Sequence, residues 1–113
     1  MPKIPIDARG KDALASTMKR IVAAQREGRT ALAYSAYAAL FDDADFAAQR
    51  PQDQRQVLKL MVLSKVVPTS TEEVQSAFHA ALLRLQALAL DSNDPGDREM
   101  IVACEKRLAE PPA

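Results

Sequence analysis

Four residues that punctuate the chain constrain it most. Gly28, Pro51, Pro68 and Pro95 interrupt stretches in which apolar residues recur at helical spacing, so each stretch predicts one helix ended by a turn or a proline. From about residue 12 to 27, Leu14, Met18, Ile21 and Val22 share one face. Asp12 is the expected N-cap of this helix, and Gly28 fits the left-handed position just past its end. Thr30 is the expected cap of the next segment, "ALAYSAYAALF", whose Ala33, Tyr37, Leu40 and Phe41 form a stripe with Leu32 and Ala36 alongside. A joint this short folds the second helix back on the first.

The stretch "DDADFAAQRP" ends the second helix with three aspartates, which oppose the macrodipole there. Asp43 or Asp45 is instead expected to cap a short turn that buries Phe46, with Pro51 in the first turn of the third helix. That helix is predicted over 51–67. Its "VLKLMVLSKVV" run also suits a buried strand, but its length, its helical neighbours and the lack of a pairing strand favour helix. Apolar on most sides, with a polar stripe of Gln52, Arg55 and Lys59, it reads as the central helix. Pro68 stops it, and "TSTEE" offers two capping boxes, Thr69 with Glu72 and Ser70 with Glu73. The fourth helix runs to about residue 90 with Val74, Ala77, Phe78, Ala81, Leu82, Leu85 and Leu88 inward. The fifth covers 95–109 and buries Ile101, Cys104 and Leu108.

The acidic joint "DSNDPGD" at 91–97 resembles the start of a calcium loop. Counted from Asp91, Asn93 takes the third position and Gly96 the sixth. Pro95 then occupies the fifth and Val102 the twelfth, where a bidentate glutamate is required, so the ligand set fails. Capping explains the same residues: Asp94 as N-cap, Pro95 in the first turn and Asp97 near the positive end of the last helix.

A chain of 113 residues with this pattern makes one all-α domain of about five antiparallel amphipathic helices, over 12–109, between an irregular lead-in at 1–11 and a tail at 110–113. Many alanines and few aromatics suit close helix packing. Zero net charge argues against a nucleic-acid partner, which calls for a basic footprint. The charge is nevertheless unevenly spread. Residues 1–30 lean basic through Lys3, Arg9, Lys11, Lys19, Arg20, Arg26 and Arg29, and residues 71–113 lean acidic. Two solvated faces explain this tilt; so does head-to-tail self-association or an acidic partner for the first helix. Cys104 is the only cysteine, excluding an intramolecular disulfide and a cysteine zinc site. With neither a signal-peptide core nor a membrane-length apolar run, the expected location is cytoplasmic, away from the membrane.

Consecutive hairpins with small residues at their contacts resemble tetratricopeptide-type repeats. In "GRTALAYSAYAAL", Gly28 matches the turn glycine, Ala33 the small residue five further on and Tyr37 the aromatic after it; Ala80, Ala87 and "ALDSNDP" resemble a second helix and its linker. The Trp–Leu–Gly signature is missing, no glycine opens the turn before the fourth helix, and the repeat spacing is nearer forty residues than the family's thirty-four. The resemblance implies a binding module whose helices 1, 3 and 5 line a concave face. It does not extend to the family's carboxylate clamp, because Asn93 is the only asparagine.

Catalytic chemistry has little to stand on. His79 is the only histidine, and a pairing with Cys104 would have to form across two helices. Asp42, Asp43 and Asp45 offer a magnesium–phosphate site without the glycines or lysine that cradle a phosphate. The functional expectation is a non-catalytic interaction or adaptor module for a protein or peptide partner, acidic where it meets Lys19, Arg26, Gln52, Arg55 and Lys59. It needs no cofactor. The alternatives are a self-associating structural bundle and a metal-dependent enzyme using the three aspartates.

Overall fold

The computed structural model describes residues 3–65, 68–92 and 94–110. Among these residues it holds six helices and no strand: α1 (Lys11–Arg26), α2 (Thr30–Phe41), α3 (Ala44–Ala47), α4 (Pro51–Val62), α5 (Glu72–Leu90) and α6 (Pro95–Ala109). The all-α expectation holds, and the additional helix is the short turn foreseen after Phe41. Asp43 caps α3, accepting from the Asp45 backbone N–H at 2.8 Å, and Phe46 is buried completely.

Local chemistry explains most boundaries. Gly28 has a φ of +78°, and the N–H groups of Gly28 and Arg29 return to the carbonyls of Gln25 and Ala24. This is the Schellman closure that glycine permits, and it reverses the chain into α2. Pro51 opens α4 and Pro95 opens α6, where the missing proline N–H would have no partner. Three caps differ from expectation. Asp12 lies inside the first turn of α1 behind Gly10, Thr30 is the first residue of α2, and neither helix has a side-chain cap. The N-cap of α5 is Thr71, whose hydroxyl accepts from Val74 N–H, instead of Thr69 or Ser70. Ser70 turns inward and its Oγ accepts from Gln75 Nε2.

The central helix is α5, not the 51–67 segment. α5 packs most extensively, against α2 on one side and α6 on the other. Its seven inward residues were placed correctly, with Leu82 partly buried and the other six fully so. α4 stops at Val62, and Leu60 on its outer side is 60% exposed; residues 66 and 67 lie outside the described residues. The apolar run misleads because Leu60 extends the greasy pattern onto the exposed side of α4, while Val57, Leu58, Met61 and Val62 face inward.

One continuous core joins these helices. Tyr34, Tyr37, Phe41 and Phe46 form a chain of ring contacts with centroids 5.5–5.7 Å apart, and Tyr34 stacks on Phe78 at 6.4 Å. The lead-in belongs to this core. Ala8 is buried, the Thr17 hydroxyl on α1 accepts from Asp7 N–H and donates to Asp7 C=O, and Gln49 Nε2 donates to Ala8 C=O at 2.7 Å. The radius of gyration is 13.2 Å with extents of 37 × 34 × 21 Å, near the about 13 Å of a compact domain of this length.

Candidate functional site

α2 carries no charged residue in twelve positions, and helices apolar all round are normally enclosed. Here one side is enclosed, through Ala33, Tyr34, Ala36, Tyr37, Leu40 and Phe41. The other side, through Ala31, Ser35 and Ala39, is exposed, with Leu32 and Ala38 half-buried at its margins. Spacings of three, four and seven residues put these five side chains on one helical face.

Two cavities lie along this face. The roomier, about 730 Å³, has Ala31, Leu32, Ser35, Ala36 and Ala39 as its floor, the lead-in residues Lys3 and Ile4, Gly28 and Arg29 from the α1–α2 joint, and Glu73 from the start of α5. The second, about 560 Å³, lies toward the other end of α2. Ala38, Phe41, Asp42 and Asp43 form one wall, and His79, Ala80, Leu83 and Arg84 of α5 form the other. Because α2 begins beside Glu73 and ends beside His79–Arg84, the two helices run in the same direction. Leu83 is 54% exposed, and Arg84 Nε is buried with no acceptor among the described residues.

The five sequence-predicted contact residues are not gathered into one site. Lys19 and Arg26 are exposed on α1, and Gln52 and Lys59 are exposed on α4. Arg55 is taken up by α6. Its Nε and Nη2 donate to the two carboxylate oxygens of Asp97 at 2.8 and 2.9 Å, and Asp94 lies 3.9 Å from Nε. The Asp97 carboxylate, through this hydrogen bonding, raises the Arg55 pKa further above its ordinary value. None of the five lines either cavity on α2, the pocket of about 370 Å³ between the lead-in and α4, or that of about 610 Å³ at the α5–α6 joint.

The acidic joint before α6 is a clamp. Asp94 Oδ1 accepts from Gly96 N–H at 2.8 Å and Asp97 holds Arg55, so both carboxylates already have partners. Asn93 lies outside the described residues. Of the aspartates at 42–45, Asp43 is occupied with local structure as the cap of α3. Among the described residues no group of three or more His, Cys, Asp or Glu side chains is placed to hold a metal ion. Cys104 is fully buried, and burial pushes its thiol up to about 12 with Glu105 adding to the shift. A thiol of that pKa is protonated at neutral pH and makes a poor nucleophile. His79 sits apart from it, on the exposed wall of the second cavity.

No protein-family model, curated protein or solved structure matches the chain. Among the described residues no helix is long and apolar enough to cross a membrane. The sequence allows for an uncovered apolar stripe on the first or second helix but does not single out the residues of this face, because the stripe facing inward accounts for the same segment. The available signal was the complete lack of charge over twelve helical residues.

Proposed function

We propose that the chain is a non-catalytic protein–protein interaction module that seats a helical segment of its partner along α2. The uncharged face of α2, forming the floor of a groove of about 730 Å³, supports this reading most strongly. Small residues at 31, 35 and 39 let a second helix axis approach closely, so many weak dispersion contacts form without large side chains having to be ordered. Ile4 adds an apolar wall beside Leu32 of the floor, and Lys3, Arg29 and Glu73 supply a polar rim. This is helix-in-groove recognition, read at intervals of three, four and seven residues.

The reading keeps the tetratricopeptide-type idea of hairpins presenting a binding face. It moves that face from helices 1, 3 and 5 to the outer side of the α2–α5 pair. Lys19, Arg26, Gln52 and Lys59 would act as scattered donors to an acidic segment outside the groove. A cytoplasmic location is part of the proposal, in keeping with a lone buried thiol.

Photocrosslinking in the native cell tests it. A benzophenone side chain at position 35, in the groove, is expected to give a discrete protein adduct, whereas one at position 56, exposed on α4, gives none. An empty lane from position 35, or the same adducts from both positions, would overturn the proposal.

A further inference from the structure

We infer that the helix received by this groove is α2 of a second copy of the chain, docked antiparallel about a two-fold axis at Ser35. The inference rests on the docking role proposed above and names the partner. The exposed face is symmetric about Ser35: a two-fold axis there sets Ala31 opposite Ala39 of the other copy and Leu32 opposite Ala38, small or apolar residues in every case. An isologous contact needs a patch complementary to itself, and this one is.

The two ends of the face carry opposite excess charge. Lys3 and Arg29 outnumber Glu73 at the start of α2, where the helix dipole is positive; Asp42 and Asp43 outnumber Arg84 at its end, where the dipole is negative. Antiparallel docking sets each end against its opposite, with Arg29 of one copy facing Asp42 of the other. Arg29 is paired within its own chain to Glu27 at 3.3 Å, but both side chains are mostly exposed and can rearrange at little cost. The aspartates unfavourable to their own α2 become favourable to the N-terminus of its neighbour. The exposed Leu83 lies at the acidic end, so in the same arrangement it meets the groove lined by Ile4 and Leu32 at the basic end of the other copy.

A twelve-residue helix is about 18 Å long. One such face with a flanking leucine covers less than the roughly 800 Å² per partner of a standard interface, so the dimer is weak and depends on concentration. Sedimentation velocity of the full chain, from micromolar to about millimolar concentration and at two salt concentrations, reads it directly. The expected result is a mass that doubles toward the top of the range and a dissociation constant that rises with salt. Ser35→Arg should weaken the dimer at least tenfold while circular dichroism still reports a folded chain, because Ser35 is exposed. Arg29→Asp alone should weaken it, and Arg29→Asp combined with Asp42→Arg should restore it, since the charges then face each other in reverse. A chain that stays single throughout, a dimer indifferent to Ser35→Arg, or a charge swap that restores nothing would overturn the inference. A single chain that still gives a foreign adduct from position 35 overturns this inference alone and leaves the docking role standing.

Discussion

Asp97 stands three residues after the Asp94 cap of α6, where a negative charge favours the helix dipole. Its carboxylate is only 1% exposed and reaches across to Arg55, forty-two residues earlier. Removing one partner of a buried ion pair leaves the other charge poorly solvated, which typically costs 3–5 kcal/mol. Arg55 keeps about a fifth of its side-chain surface, so Asp97→Ala is expected at the low end, about 3 kcal/mol by urea denaturation. Replacing both partners, Arg55→Met with Asp97→Leu, removes the desolvation penalty as well and should come within about 1 kcal/mol of the parent chain. The sequence shows why Asp97 favours a helix start, since capping is local chemistry. It could not show the Arg55 contact, because nothing local relates residues on two helices. Arg55, expected from the sequence as a surface donor, is a half-buried strut. Gly28 is the opposite case, legible because a positive φ has so few solutions; Gly28→Ala should cost about 1 kcal/mol in the same assay.

For elements, the chain discloses where helices stop better than which helix lies inside. Proline and glycine act on the backbone next to them, so the starts of α4 and α6 and the end of α1 were readable. Rank within the core depends on partners. The greasy α4 lies at the edge, and α5, with a charged arginine in its middle, lies at the centre because α2 and α6 close over it. The capping of α5 gives a direct check. Thr71→Ala should lower stability by about 1 kcal/mol, whereas Thr69→Ala, an exposed residue outside the helix, should change it by under about 0.5 kcal/mol. Equal losses at 69 and 71 would return the cap to the position suggested by sequence. The uncharged α2 belongs at this scale too. Its inner stripe was legible as core, but exposure of its outer face depends on what the rest of the chain leaves uncovered.

For the whole molecule, buried acids set the alkaline limit, Cys104 and Tyr37 most strongly, with the Tyr34 phenol also pushed up by burial. Burial raises the Cys104 thiol from 9.0, and the Tyr37 phenol from 10.0, each to about 12, with Tyr34 adding to the second shift. Both folded values lie above the unfolded ones. The stability gained from keeping these groups neutral is therefore complete below pH 9 and is lost progressively as pH rises toward 12. Urea midpoints should be flat with respect to these two groups up to about pH 9 and fall above it, and Cys104→Ala should flatten the first part of the fall, between pH 9 and 10. A midpoint unchanged to pH 11 would contradict the burial of both. The same coherence extends to the chain's opening residues. Thr17 looks like an ordinary polar position on α1, yet it is fully buried, its hydroxyl bonded to the backbone N–H and C=O of Asp7 and accepting from Arg20 Nη2, and Gln49 reaches over to grip Ala8. Trimming the first eight residues would therefore strip a sealing strip from the flank of the molecule, wetting a threonine that now stays dry and taking away a glutamine's acceptor, so a shortened version should be a poorer protein and not a tidier one.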